Sequence, residues 1–360
     1  MANIEQGAVL QALSRIVDPD LGRDIVSLGF VKNVSIDGGR VSFSIELTTP
    51  ACPVKDQMRD QALGLVRALD GVTDVQVEMT AAVRTAVVPD GTRAPVAGVR
   101  NIIAVGAGKG GVGKTTVAVN LAVALAKRGS RVGMLDGDIY GPNVPIMLGL
   151  RTQLTTDGQK ILPAENHGVQ VVSMGFLTND DAAVIWRGPM LHGAIQQFFR
   201  EVAWDNLDYL IVDMPPGTGD VALSLSQTVP VAGAIVVTTP QQVSLADSRR
   251  AVRMYQKLNI RILGLVENMS HFACPSCGTE SDIFGRGAAA GLATDMEIPF
   301  LGSIPIYQPI REGGDAGRPI VTTEPDAPAA RAFFSVAEQA AAQVSIASFT
   351  RTAIPLTVVK

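Results

Sequence analysis

Ile102-Ile103-Ala104-Val105, followed by Gly106-Ala107-Gly108-Lys109-Gly110-Gly111-Val112-Gly113-Lys114-Thr115-Thr116, is the stretch on which the fold turns. Four consecutive apolar residues read as a strand buried on both faces. The glycine-rich turn opens a segment with Val119, Ala122, Val123 and Ala126 at helical spacing. Gly108 to Thr115 fits G-x-x-x-x-G-K-[ST] between that strand and that helix, the context the motif requires. Its glycines let the backbone bend until successive N–H groups point at one phosphate. The helix N-terminus behind them adds about half a positive charge. Lys114 is then placed to reach the β- and γ-phosphates, and the Thr115 hydroxyl to ligate Mg²⁺. The expected nucleotide contacts are Gly108, Lys109, Gly110, Gly111, Val112, Gly113, Lys114, Thr115 and Thr116.

Working outward, apolar runs recur at 131–135, 207–212, 234–238 and 262–266, and helical segments separate them. Short apolar strands alternating with helices predict an α/β domain with a mostly parallel, doubly wound sheet over residues 99–360. A last helix is expected near 328–344, with Pro328 in its first turn. Residues 1–80 read as a smaller α/β domain. Val9, Leu10, Leu13, Ile16 and Val17 have helical spacing. Val41, Phe43, Ile45 and Leu47 alternate as the second strand of a hairpin. A helix after Pro53 and a strand over 72–79 complete that unit. Between the two domains, residues 81–98 hold Pro89, Gly91, Pro95 and Gly98 and read as a linker.

Carboxylates follow two of the predicted core strands. Asp136 and Asp138 stand in Leu135-Asp136-Gly137-Asp138-Ile139-Tyr140-Gly141-Pro142, and Asp213 precedes Met214-Pro215-Pro216-Gly217-Thr218-Gly219-Asp220. In a doubly wound sheet such strand ends meet at the ligand crevice. A carboxylate there holds Mg²⁺ or its waters, or orients an attacking water, and the glycines and prolines permit a loop that responds to the γ-phosphate. Asn268, after another core strand, carries an amide that suits a base edge; a turn-forming Asn is the other reading.

Composition narrows the partners. Thirty Lys and Arg against 34 Asp and Glu give a net charge of −4, so no global basic excess points to nucleic acid or an anionic membrane. Aromatic residues make up 5%, too few for platforms that stack single-stranded bases. No apolar run reaches the length of a membrane span, and the opening residues show no basic region followed by an apolar stretch. The expectation is a cytoplasmic protein. The terminal stretch 350–360 does not read as a basic amphipathic membrane helix.

The three cysteines are Cys52, Cys274 and Cys277. Cys274-Pro275-Ser276-Cys277 can face one metal or cluster with two thiolates. A four-thiolate site needs two more, and only two chains can supply the pair twice. Spacing alone leaves an iron–sulfur cluster and a dimer-bridging zinc both open. His271 is three residues from Cys274 and is either an extra ligand or a solvated loop histidine. Cys52 precedes a helix expected to begin at Pro53, which predicts a lowered thiol pKa and a reactive thiol making a transient cluster or sulfur contact. A half-buried structural cysteine is the alternative.

Lys109 with the two glycines after it resembles the deviant Walker A loop of the ParA/MinD/nitrogenase-iron-protein class. That resemblance implies a nucleotide-dependent homodimer in which Lys109 reaches the partner's nucleotide. It also implies Asp138 as the first-switch carboxylate near the attacking water, with Asp136 competing for the role, Asp213 as the Walker B carboxylate at Mg²⁺, and Asn268 at the base. Asp136 to Pro142, Trp186-Arg187-Gly188-Pro189-Met190, Asp213 to Asp220, Glu267-Asn268-Met269-Ser270 and Cys274 to Cys277 occur in order and together resemble the Mrp/ApbC family of iron–sulfur cluster carriers. Membership implies ATP binding and slow hydrolysis, with Lys109, Lys114 and Asp138 as the catalytic residues. It implies a [4Fe–4S] cluster bridging two subunits through Cys274 and Cys277, loading from a cluster assembly scaffold and delivery to apo iron–sulfur proteins. Val17 to Gly22 and Thr49-Pro50-Ala51-Cys52-Pro53 are similar to a small domain of other iron–sulfur assembly factors. The rivals are a ParA/MinD-like positioning ATPase and a zinc-bridged dimeric ATPase switch.

Overall fold

A computed structural model describes residues 4–86, 93–138, 141–151, 154–176, 188–215, 217, 219–274 and 276–349. Trp186, Arg187, Ile139, Tyr140, Pro216, Thr218, Pro275 and the stretch 350–360 lie outside these residues.

Among the described residues the large sheet has nine strands. Their order across the sheet is Ala164–Asn166, Val169–Ser173, Val132–Asp136, Leu207–Asp213, Val99–Ala107, Val231–Thr238 and Ile262–Ala273. Glu280–Ser281 and Phe300–Ile306 both pair with the last of these. All neighbours are parallel except at Ala164–Asn166 and Glu280–Ser281. The strand Val99–Ala107 is central, and the chain winds outward from it in both directions. That topology brings the C-terminal ends of Val99–Ala107, Val132–Asp136 and Leu207–Asp213 to one crevice.

The apolar runs are continuous because both faces of the sheet are covered. Ile103 and Val105 pack with helices Lys114–Lys127 and Pro328–Phe349. Ile102 and Ala104 pack on the opposite side with Gly188–Glu201, Gly219–Thr228 and Gln242–Lys257. Periodicity alone did not reveal Val169–Ser173, a buried parallel strand, nor Phe300–Ile306. The last helix runs five residues beyond the expected end, to Phe349.

In the small domain, Val31–Asp37 and Arg40–Leu47 form the antiparallel hairpin, and Asp74–Ala81 lies parallel to the second strand after the crossover helix Lys55–Arg67. Val41, Phe43, Ile45 and Leu47 are all buried, as their alternation requires. The two domains share packing. Ala51 is 1% exposed and belongs to the core of the large domain. Tyr209 Oη donates to Thr49 Oγ1 at 3.1 Å. Phe349 meets Phe30 edge to face with ring centroids 6.2 Å apart. The described parts of the segment expected to be a linker, 81–86 and 93–98, are tied down on the large domain. Val83, Ala86 and Val96 are buried there, and Asn101 Oδ1 accepts the Ala86 N–H at 2.8 Å.

Candidate functional site

The phosphate loop leaves Val99–Ala107 and enters the helix Lys114–Lys127. Gly113 stands in front of that helix at φ +78°, in the left-handed region, and a Cβ there would run into the Asn268 amide. Gly108 passes so close to the backbone of Asp247 that a side chain would overlap it. Two of the motif's glycines are therefore fixed by steric necessity.

Lys114 is 7% exposed and Asp213 fully buried. Lys114 Nζ lies 2.6 Å from Asp213 Oδ1. The Thr115 hydroxyl donates to Asp213 Oδ2 at 2.8 Å, and Lys114 Nζ donates to Thr115 Oγ1 at 3.3 Å. Burial pushes the Asp213 carboxyl above the usual range, while Lys114 and Thr115 pull it down. Thr115 and Asp213 converge as two hard oxygen donors, the type a Mg²⁺ ion takes.

Asp136 sits opposite Asp213 in the strand register and is also fully buried. Ser173 Oγ donates to its carboxylate at 3.0 Å, and the N–H groups of Asp138 and Val144 donate at 3.1 and 3.3 Å. Burial, reinforced by the charge of Asp213, raises its pKa to about 7. The two acids of this stretch therefore have different settings. Asp136 is a buried anchor for the loop that follows, whereas Asp138 is half-buried and lies on that loop.

Beyond Thr115 and Thr116 the crevice opens into a cavity of about 470 Å³ lined by Asn268, Met269, Phe284, Ile306 and Tyr307 among others. It is walled largely by apolar side chains, the common character of small-molecule pockets. Asn268 faces it and also donates Nδ2–H to the Val112 carbonyl at 2.9 Å. The residue expected at the base edge thus also props the phosphate loop. Lys109 is half-buried and, among the described residues, makes no hydrogen bond or ion pair.

The strand carrying Asn268 departs from regular pairing after it, and Met269 takes φ +56°. It then runs out to a hairpin whose return strand is Glu280–Ser281. Cys274 and Cys277 occupy the tip. Cys274 N–H donates to Thr279 O at 2.9 Å and Gly278 N–H to Cys274 O at 2.8 Å. Cys277 Sγ lies 3.2 Å from Thr279 Oγ1. That bond, the Thr279 N–H and the Cys274 thiol hold the Cys277 thiol below its ordinary pKa. Among the described residues no third His, Cys, Asp or Glu joins the pair as a metal-ligand group. His271 turns instead to Ser270 Oγ at 2.9 Å and to Glu280 at 3.9 Å.

Cys52 differs from its expected setting. The helix begins at Lys55, not Pro53, and makes no side-chain cap bond. Burial at the domain joint, with Asp18, Asp20 and Glu338 adding negative charge, pushes the thiol up to about 11, so the expected lowered pKa is corrected. The helix N-terminus is outweighed by desolvation and by the acidic neighbours.

Residues 98–341 match the family described as ParA, NUBPL iron-transfer P-loop NTPase. The chain belongs to this family. Residues 6–79 match a second family, described as iron-sulfur cluster assembly protein. The iron-sulfur cluster carrier protein of Synechocystis sp. is 49% identical, with 95% of this chain and 98% of that one covered. Its counterpart in Deinococcus radiodurans is 48% identical over 94% of this chain and 95% of that one. Among solved structures, a nucleotide-binding protein from Archaeoglobus fulgidus in complex with ADP is 38% identical, with a TM-score of 0.58 over 66% of this chain and 93% of that one. The Pyrococcus furiosus cell division ATPase MinD is 29% identical, with a TM-score of 0.51 over 66% of this chain and 97% of that one. The large domain is thus a P-loop NTPase fold, and the relatives similar over nearly the whole chain are cluster carriers.

Several site features had only faint signals in the sequence. Ser173, which anchors Asp136, lies on the strand the pattern did not reveal. Glu267 accepts the Gly287 and Ala289 N–H groups at 2.9 Å each and so caps the helix Ala288–Asp295 across the sheet. Phe284 carried no signal in the sequence.

Proposed function

We propose that this chain is an ATP-dependent iron–sulfur cluster carrier. Two copies form a homodimer in the cytoplasm, and Cys274 and Cys277 of each supply half of the thiolates for one [4Fe–4S] cluster. The cargo is received from an assembly scaffold and handed to apo iron–sulfur proteins. The single observation that carries this reading is the incomplete ligand set. Two cysteines sit at a hairpin tip with no third ligand group among the described residues, and Cys52 is held at the domain joint. The family and its carrier relatives support iron and sulfide over a lone zinc, and carriage over positioning on DNA or membrane. No helix among the described residues is long and apolar enough to cross a membrane.

At the nucleotide, Lys114 would leave Asp213 for the β- and γ-phosphates, which removes the cation that neutralises a buried carboxylate. Thr115 and Asp213 would hold Mg²⁺, whose charge then replaces that of Lys114 at Asp213 and offsets the phosphates. Asp138 would orient the attacking water, positioned through the backbone bond to Asp136. Lys109, which makes no hydrogen bond or ion pair among the described residues, would reach the partner's nucleotide. Slow hydrolysis is in keeping with a switch.

The test is anaerobic reconstitution with iron and sulfide, followed by metal analysis and transfer to an apo acceptor. Iron and sulfide bound in a cysteine-dependent way, and transferred, support the proposal. Zinc alone, or no metal, contradicts it.

A further inference from the structure

The hairpin that carries the two thiols is also a wall of the nucleotide cavity. Its outgoing arm places Asn268 and Met269 on the cavity, and its return arm brings Phe284 there. Phe284 is 40% exposed. An aromatic face left partly in water at the mouth of an apolar cavity is a ready partner for a planar base.

The return arm is braced to the outgoing arm on both sides of Phe284. On the side before Phe284 the tie is at Glu280; within the return arm itself Arg286 Nη2 meets Glu280 Oε2 at 2.5 Å and Arg286 Nε meets Asp282 Oδ1 at 3.5 Å, two pairs that span Phe284. Glu280 pairs in register with Ala273, the residue before Cys274. On the other side, the Gly287 N–H is held by Glu267, the residue before Asn268. A ring that moves at position 284 therefore pulls on both attachments of the hairpin. A site shared between two hairpin tips is sensitive to small displacements, because metal–sulfur bonds of about 2.3 Å tolerate little error.

We propose that Phe284 stacks on the base of the bound nucleotide and is the positioning residue through which occupancy of the phosphate loop sets the placement of Cys274 and Cys277. This rests on the carrier reading above. It adds a path within one chain, separate from any movement of the loops after Asp136 and Asp213.

The experiment uses the full chain without cluster, ADP as the probe, and alkylation of Cys274 and Cys277 by iodoacetamide followed peptide by peptide. Saturating ADP is expected to change the alkylation rate of at least one of the two thiols about threefold in the wild type. Phe284→Ala is expected to weaken ADP binding about tenfold. At ADP concentrations that saturate the variant, its ratio of rates with and without ADP should fall to one. Phe284→Tyr keeps the aromatic face and should restore both readouts. Ile283→Ala, altering a neighbour that does not line the cavity, should leave both as in the wild type. The inference is overturned if Phe284→Ala keeps the wild-type ratio, or if the wild type binds ADP with neither rate changed. Failure of the carrier reading looks different: anaerobic reconstitution then leaves no iron on a chain whose thiols still respond to ADP.

Discussion

Removing the Lys114 ammonium should destabilise the nucleotide-free protein as well as abolish phosphate binding. In the wild type Lys114 Nζ lies 2.6 Å from a fully buried Asp213 carboxylate, with buried Asp136 opposite in the register. Lys114→Ala leaves two buried acids with no cation between them. Breaking one side of a buried pair costs about 3–5 kcal/mol. For a domain of this size that corresponds to a fall of about 6–20 °C in Tm. The deficit should depend on pH with a definite sign. Burial already raises Asp213 above its unfolded value, and loss of Lys114 removes the main opposing influence. An acid with a raised folded pKa contributes stability at low pH that is lost as pH rises through that pKa. The gap between variant and wild type should therefore widen from pH 5 to pH 8. Thermal unfolding without nucleotide measures it, and repetition with ADP at about a hundredfold its Kd separates the two roles. The wild type should gain about 2.7 kcal/mol and the variant nothing. A variant that melts with the wild type in the absence of nucleotide would refute the ion pair as the resting state of the loop.

Other outcomes follow from the same geometry. Asp136→Asn mimics the neutral acid, and because Asp136 titrates at about 7 when folded, wild-type stability from this group should be lost between about pH 4 and 7. The variant should therefore gain on the wild type as pH rises in urea titrations at pH 5.5 and 8; a constant difference would contradict the assignment. Gly113→Ala should eliminate ADP binding by calorimetry, since the new Cβ needs both a left-handed backbone and the space of the Asn268 amide. Cys52 should be alkylated far more slowly than Cys277 at pH 8, and Tyr209→Phe, which frees Thr49 at the domain joint, should speed it; equal rates in the wild type would count against the buried setting.

The P-loop strand, its glycines and its helix were legible because their residue types are dictated locally. Gly113 needs a positive φ whatever surrounds it, and Ile102 to Val105 announce burial on both faces. The Cys274–Cys277 pair was legible from spacing. What escaped the sequence depends on long-range closure. Val169–Ser173 is as short and apolar as a buried helix turn, and only pairing with Val132–Asp136 makes it a strand. Cys52 was misread because its local context, a thiol just before a helix, is overruled by Glu338 and by burial against a domain remote in sequence. Asp138 was read as the switch carboxylate, with Asp136, two residues before it, competing for the role. Burial under Ser173 and opposite Asp213 separates their settings.

The mass of the cluster-loaded species decides whether two chains share one site. Light scattering under anaerobic conditions, with iron and sulfide determined on the same fraction, should show a dimer carrying about two irons per chain, as one four-iron cluster shared by two Cys pairs requires. A monomer with the same chromophore and iron content would show that one chain completes the site alone, contrary to the ligand count on which the account depends.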